Sequence, residues 1–256
     1  MTPLPPVSRV RKSVLCVVLC AGLAVSLTAC EEKKDPDKGT NGVGKLSAME
    51  IESKARATAD AASAVRLSGT LVSKGGTYKL NMRLKQDGGT GSVTTAENAF
   101  ELLRVGDDLY LKADAGFWTH DDGTSGEGSS NTDAEAALKL RDKYVKVPQG
   151  DPAYDRFRGF TDMDVLLDGL LGMQGKLSKG DRTKVGGVQA IKVQAEEGAG
   201  GVLDVALEGQ PYPLQFARAG GKGILTLGEW DVDFTLVPPT KEETVDYGKQ
   251  LPKSSD

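Results

Sequence analysis

Tyr78-Lys79-Leu80-Asn81-Met82-Arg83-Leu84-Lys85 alternates apolar and polar side chains without a break. A period of two puts Tyr78, Leu80, Met82 and Leu84 on one face of a β-strand and the polar residues on the other. That is the pattern of a sheet with one face on the core and one in water. Working outward, further strands are expected near 67–73, 90–95, 99–105, 108–113, 143–147, 188–195, 202–208, 212–218, 223–229 and 230–237. Turns at Gly75-Gly76, Gly88-Gly89, Gly106-Asp107, Gly186-Gly187 and Gly220-Gly221 separate many of them. Such short spacing means antiparallel hairpins.

Three helices interrupt the strands. Ser47-Ala48-Met49-Glu50 fits a capping box, and the helix after it runs to about Ala64 with Ile51, Ala55, Ala59 and Ala62 on one face. A second is expected over 132–142, capped by Thr132 or Asp133. A third spans 162–172, with Leu166, Leu167, Leu170 and Leu171 as its ridge. The class is α+β: an antiparallel sheet of about 10–11 strands, with the helices on one side. Residues 47–240 read as one domain, followed by a polar tail over 241–256.

The N-terminus says where the protein lives. Arg9, Arg11 and Lys12 precede an uncharged run whose apolar heart, Val14 to Leu27, suits a signal peptide and falls short of the ~20 residues of a spanning helix. It ends in Leu27-Thr28-Ala29-Cys30, which resembles the bacterial lipobox. On that resemblance residues 1–29 are cleaved and Cys30 carries a diacylglycerol thioether and a fatty acyl chain such as palmitate. The alternatives are a plain secretory signal or an uncleaved anchor. Cys16 and Cys20 leave with the signal, so no disulfide is available to the mature chain. Residues 30–46 carry Gly, Pro, Asp and Lys and read as a flexible tether; the sixteen residues after Cys30 reach roughly 20–24 Å on average. Gly39, Gly44 and Lys45 have Walker A spacing, but Leu46 replaces the required hydroxyl, so they too read as tether.

Composition excludes several activities. The whole chain has 32 basic and 36 acidic side chains, one histidine and three cysteines. Loss of residues 1–29 leaves 29 basic against 36 acidic groups, a net charge of −7, which disfavours nucleic acid as a partner. His120 has no serine in a nucleophile motif to serve and reads as a loop residue. Asp121, Asp122, Glu127 and Asp133 lack the alternation of a calcium loop. Asp231 and Asp233 alternate with Trp230, Val232 and Phe234 and read as the wet face of a strand. The expectation is no enzyme, no cofactor and no metal.

The apolar face is the remaining feature. Tyr78, Leu80, Met82, Leu84, Leu109, Leu111, Leu214, Phe216, Trp230, Val232 and Phe234 are expected along one side of the sheet. If the helices cover that face completely, these residues are an ordinary core. If they do not, the sheet encloses an apolar cavity of the kind that holds greasy ligands.

The order lipobox, tether, capped helix, Ser68-Gly69-Thr70, then Leu102 to Lys112 (LLRVGDDLYLK), Phe117-Trp118 and Lys143-Tyr144-Val145-Lys146-Val147-Pro148 is specific. Lys184-Val185-Gly186-Gly187-Val188-Gln189-Ala190-Ile191 and Pro211-Tyr212-Pro213-Leu214 follow the Leu-rich helix. This succession resembles the LolA-like lipoproteins of actinobacteria and is similar to the LppX/LprAFG group of lipid carriers, over about 47–240. The resemblance implies a half-barrel wrapped around helices, with a hydrophobic cavity for the acyl chains of a lipid, glycolipid or lipoprotein. It implies no catalytic residues. The expected cavity lining is the apolar set above together with Phe117, Trp118, Leu166 and Leu170. The expected setting is the extracytoplasmic face of the cell membrane, as a lipid-anchored monomer. The alternative is an envelope sensor or adaptor of the same fold that binds a regulatory protein.

Overall fold

The alternating stretch forms β2 (Gly76–Lys85), which pairs antiparallel with β1 (Ala64–Ser73) so that Val65 faces Leu84, Leu67 faces Met82 and Leu71 faces Tyr78. The computed structural model describes residues 37–73, 76–118 and 137–246. From β2 the chain continues as a meander through β3 (Gly88–Thr94), β4 (Ala99–Val105), β5 (Asp108–Ala113) and β6 (Tyr144–Val147). A second antiparallel meander runs through β7 (Leu177–Val185), β8 (Val188–Ala195), β9 (Gly201–Ala206), β10 (Pro213–Ala217) and β11 (Ile224–Gly228). The pairing of β1 with β11 joins the two, and β12 (Thr244–Asp246) adds a parallel edge to β6. The result is one curved, unclosed sheet of twelve strands, edged by β12 and β7.

Glycines on the inner face help it bend. Gly69 and Gly91 sit opposite Leu80 and Met82 at positive φ, and a Cβ on either would lie about 2 Å from a neighbouring strand's carbonyl oxygen. No other residue type allows so close an approach. Inside the curve lie α1 (Ala48–Asp60), α2 (Ala115–Trp118), α3 (Pro152–Thr161) and α4 (Met163–Leu170). The capping box forms as read: the Glu50 amide donates to Ser47 Oγ at 3.3 Å, and the Ser47 amide to Glu50 Oε2 at 2.9 Å. Ala55 and Ala59 are fully buried, and α1 lies over β7–β10. The third expected helix is α4, shortened to eight residues, and residues 137–140 of the second are helical.

Several expectations are corrected. Trp230 to Val237 form no strand: the segment that leaves β11 straps the outer face instead. Glu229 pairs with Arg66 at 3.0 Å and Arg83 at 2.9 Å, Asp233 with Lys85 at 3.4 Å, and the Arg83 guanidinium stands 5.0 Å from the Phe234 ring. The strap ends where the Glu243 carbonyl accepts from the Tyr144 amide, feeding β12, so part of the expected polar tail is a strand. β7 and α3 had no counterpart in the sequence reading. Helix α1 stops at Asp60 rather than Ala64.

Residues 37–46, expected within the tether, are held against the second meander. The Asn41 amide donates to the Leu207 carbonyl, Val43 is buried, Arg182 pairs with Asp37, and Lys179 Nζ donates to the Gly44 carbonyl at 3.0 Å. Residues 1–29, expected as a signal peptide, Cys30, residues 31–36, Gly75, the stretch 119–136 with His120, Asp121, Asp122, Glu127, Thr132 and Asp133, and residues 247–256 lie outside the described residues.

Asp231 ties the strap to the rest. Its carboxylate accepts from the Ser63 amide at 2.7 Å, from Ser63 Oγ at 2.9 Å and from the Tyr212 hydroxyl, while its own amide donates to the Ala64 carbonyl. Those donors, Tyr212 first, hold its carboxyl below the usual range; burial and then Asp231 push Tyr212 up to about 12. A lowered carboxyl pKa adds stability above pH ~4 that is lost as pH falls through the folded value, and a raised phenol adds stability lost above pH ~10. Asp231→Asn is expected to cost about 1 kcal/mol at pH 7 and to flatten the acid limb of the stability curve, as measured by urea melts from pH 7 to 2.

Candidate functional site

The inner face is a single apolar body spanning both meanders. Leu80, Met82, Leu84, Leu109, Leu111, Trp118, Leu166, Leu170 and Phe216 belong to one cluster, with Tyr78, Phe117 and Trp230 packed against it. The ladder explains the convergence. Leu225 faces Gly69 and Phe216 on its two sides, and Phe216 faces Leu203, so inward positions align from strand to strand.

Three residues of the expected lining lie elsewhere. Leu214 sits at the β9–β10 bulge and packs with Ala190 and Ala206 in a separate outer cluster. Phe234 lies against Arg83 and Lys85, whose side chains alternate with inward Met82 and Leu84 and so face outward. Val232 is 49% exposed. The supposed alternation at 230–234 is a strap, so period two had no ladder to enforce it.

One end of the inner face carries an arc of rings. Tyr78 at the start of β2 meets Phe160 of α3 at 6.4 Å; Phe157, one turn earlier on α3, meets Phe100 of β4 at 5.5 Å edge-on. Phe100 also meets Phe117 at 5.5 Å, and Phe117 meets Trp118 at 5.0 Å and 81°. Tyr78, Phe117 and Phe160 are partly exposed, so the arc borders solvent.

The other end holds a buried cation. Arg104, 5% exposed, points inward between Gly89 and Leu109 and donates to the Thr161 carbonyl at 2.9 Å, Thr161 Oγ1 at 3.3 Å and the Gly106 carbonyl at 2.9 Å. It thereby caps the last turn of α3, where the helix dipole favours positive charge. Gly89 makes room, since a Cβ there would stand 3.0 Å from the Thr161 carbonyl. At the helix start, Asp151 accepts from the Ala153 amide at 2.8 Å, and the Tyr154 hydroxyl donates to the Asp107 carbonyl; burial pushes that phenol's pKa up. Asp162 caps the start of α4 through the Val165 amide at 3.2 Å, so α3 and α4 form one corner. The sequence reading missed Arg104 because a charge in an alternating strand normally faces water. Its position two residues after inward Leu102 was the available signal.

No protein-family profile matches the sequence, and no curated protein does. Solved structures do. LprF from Mycobacterium bovis superposes with a TM-score of 0.51 at 14% identity, over 75% of this chain and 96% of that one. The fold is the one LprF adopts. Lipoprotein LppX from Mycobacterium tuberculosis follows with a TM-score of 0.42 at 11% identity, over 74% of this chain and 98% of LppX. An uncharacterised conserved protein from Thermus thermophilus has 0.35 at 12%, over 78% and 98%. LprF thus carries the fold that the resemblance in the sequence implied. At 14% identity LprF speaks for the fold alone.

The Arg104 clamp makes its own prediction. Arg104→Met strands the buried Thr161 carbonyl beneath the helix layer, at a cost of roughly 1–3 kcal/mol. Hydrogen exchange over 152–170 is expected to speed up by one to two orders of magnitude, with β1–β2 unchanged at low denaturant. Uniform acceleration would mean that Arg104 supports the whole fold.

Proposed function

We propose that the protein is a membrane-anchored extracytoplasmic lipoprotein that takes up the acyl chains of an amphiphile between the inner face of its sheet and the α3–α4 corner. The observation that carries this reading is the inner face itself: apolar positions from both meanders converge on one surface, roofed by helices of 13, 10 and 8 residues and the four-residue α2. Each methylene moved there from water contributes about 0.8 kcal/mol, so one long chain supplies enough to offset parting a short helix from the sheet. The polar head stays at the aromatic arc, where rings border solvent. Tyrosine and tryptophan suit such a boundary, having an apolar body and a polar tip.

Cys30 would carry the diacylglycerol and acyl anchor, in keeping with the lipobox. Among the described residues no helix is long and apolar enough to cross a membrane. The reading is of a binding protein and not an enzyme, and the ligand would be a lipid, a glycolipid or the acyl chains of another lipoprotein. The best-defined polar groups are occupied in structural bonds: Asp231 with Ser63 and Tyr212, Arg104 with Thr161.

The test is native mass spectrometry of the mature chain, Glu31 to Asp256, secreted from a bacterial host so that it meets envelope lipids while folding. Because residues 37–46 are part of the folded unit, a later start would remove packing from the second meander. A stoichiometric amphiphile released by organic solvent is the expected result. A clean apo mass that persists after incubation with phospholipids would overturn the reading and favour the sensor or adaptor that binds a protein.

A further inference from the structure

Trp118 ends α2 beside the aromatic arc. It is 4% exposed, and its Nε1 is buried with no acceptor among the described residues. Native structures rarely leave such a group alone, because a buried donor without a partner has given up its hydrogen bond to water and gained none in return. The chain's other indole shows the usual outcome: Trp230 Nε1 donates to the Pro213 carbonyl at 3.0 Å while its ring stacks on Tyr212 at 4.7 Å.

We propose that Trp118 Nε1–H is the donor that fixes an amphiphile at the arc, by binding the carbonyl oxygen of the ester or amide that joins an acyl chain to its head group. The inference rests on the amphiphile-binding reading and specifies the polar atom it would recognise. An indole N–H only donates, so its partner must be an acceptor; a bare hydrocarbon leaves it unsatisfied. Burial in the apolar cluster, with Phe117 against its ring and Phe100 beyond Phe117, favours a neutral acceptor over a phosphate or carboxylate, which would lose its hydration there. The inward arginine does not serve this end: Arg104 lies four residues along β4 from Phe100 and is engaged with Thr161. An ester carbonyl also stands where such a donor is useful, at the point where the chain stops being apolar. Chains directed inward along Leu80 and Met82 would leave the head group beside the partly exposed Phe117, Tyr78 and Phe160.

The experiment compares two probes that differ at that one atom. They are 1-palmitoyl lysophosphatidylcholine, which has the ester carbonyl, and its 1-O-hexadecyl ether analogue, which lacks it. Both are titrated below their micelle concentrations into the mature chain and into Trp118→Phe, with thermal melts to confirm that the variant folds. The ester is expected to bind the native chain about tenfold more tightly than the ether. Trp118→Phe is expected to bring the ester down to the ether's affinity and leave the ether unchanged. Equal affinities in the native chain, or a variant that weakens both probes alike, would overturn the proposal while amphiphile binding stands. Failure of both probes to bind would overturn the underlying reading together with it.

Discussion

A sheet of twelve strands with one apolar face sets the problem that the rest of the molecule solves. At about 4.8 Å per strand it is roughly 50 Å across, whereas a helix with its side chains covers about 10 Å. Helices of 4 to 13 residues do not cover a flat sheet of that size. Curvature shortens the inner arc, and the glycines at 69 and 91 permit it by letting adjacent strands close in where a side chain would collide. The sheet also stays open, with β7 and β12 unjoined, so the helix layer is held by specific attachments. Helix α1 settles on β7–β10 through an alanine face, and α3 is fastened over β2–β4 by Arg104.

Those attachments differ in kind, and the difference bears on function. The outer face is laced by ion pairs of the strap, from Glu229 to Arg66 and Arg83, and by the Asp231 junction with Ser63 and Tyr212. They fix the sheet's shape without involving the interior. Inside, the α3–α4 corner rests on apolar contact and a few polar bonds: the Arg104 clamp, the Tyr154 hydroxyl on the Asp107 carbonyl, and Arg56 of α1 on the Leu171 carbonyl at 3.1 Å. A sheet braced from outside and roofed by short helices can exchange one set of apolar contacts for another at small net cost, because acyl chains offer the roof and floor the same kind of surface.

The sequence was most legible where a local rule had a single solution. Tyr78 to Lys85 could be nothing but a half-buried strand, and Ser47 with Glu50 defined a helix start that the structure reproduces bond for bond. It was least legible where a segment's state depends on distant partners. β7 is a charged edge strand with a bulge between Lys179 and Arg182 and no buried face, so it carries no periodic signal. The strap mimics a strand at Trp230, Val232 and Phe234 but has no ladder partner. Helix α3 was signalled by Asp151-Pro152 and by Tyr154 and Phe157 at helical spacing, a pattern diluted by Arg156, Arg158 and Gly159. Within the candidate site, alternation identified the inward residues of β2 and β5, whereas Arg104 and the orphaned Trp118 N–H emerged only in three dimensions.

The central claim is that acyl chains lie against the inner face of the sheet. Photolabelling with a phospholipid that carries a diazirine in mid-chain, followed by peptide mapping, addresses that claim directly. The account predicts covalent labels on Tyr78, Leu80 and Phe160 and on Leu166 or Leu170, with a saturable dose dependence. Labels confined to exposed apolar side chains such as Met49, Ile224 and Val237, rising linearly with lipid, would contradict it.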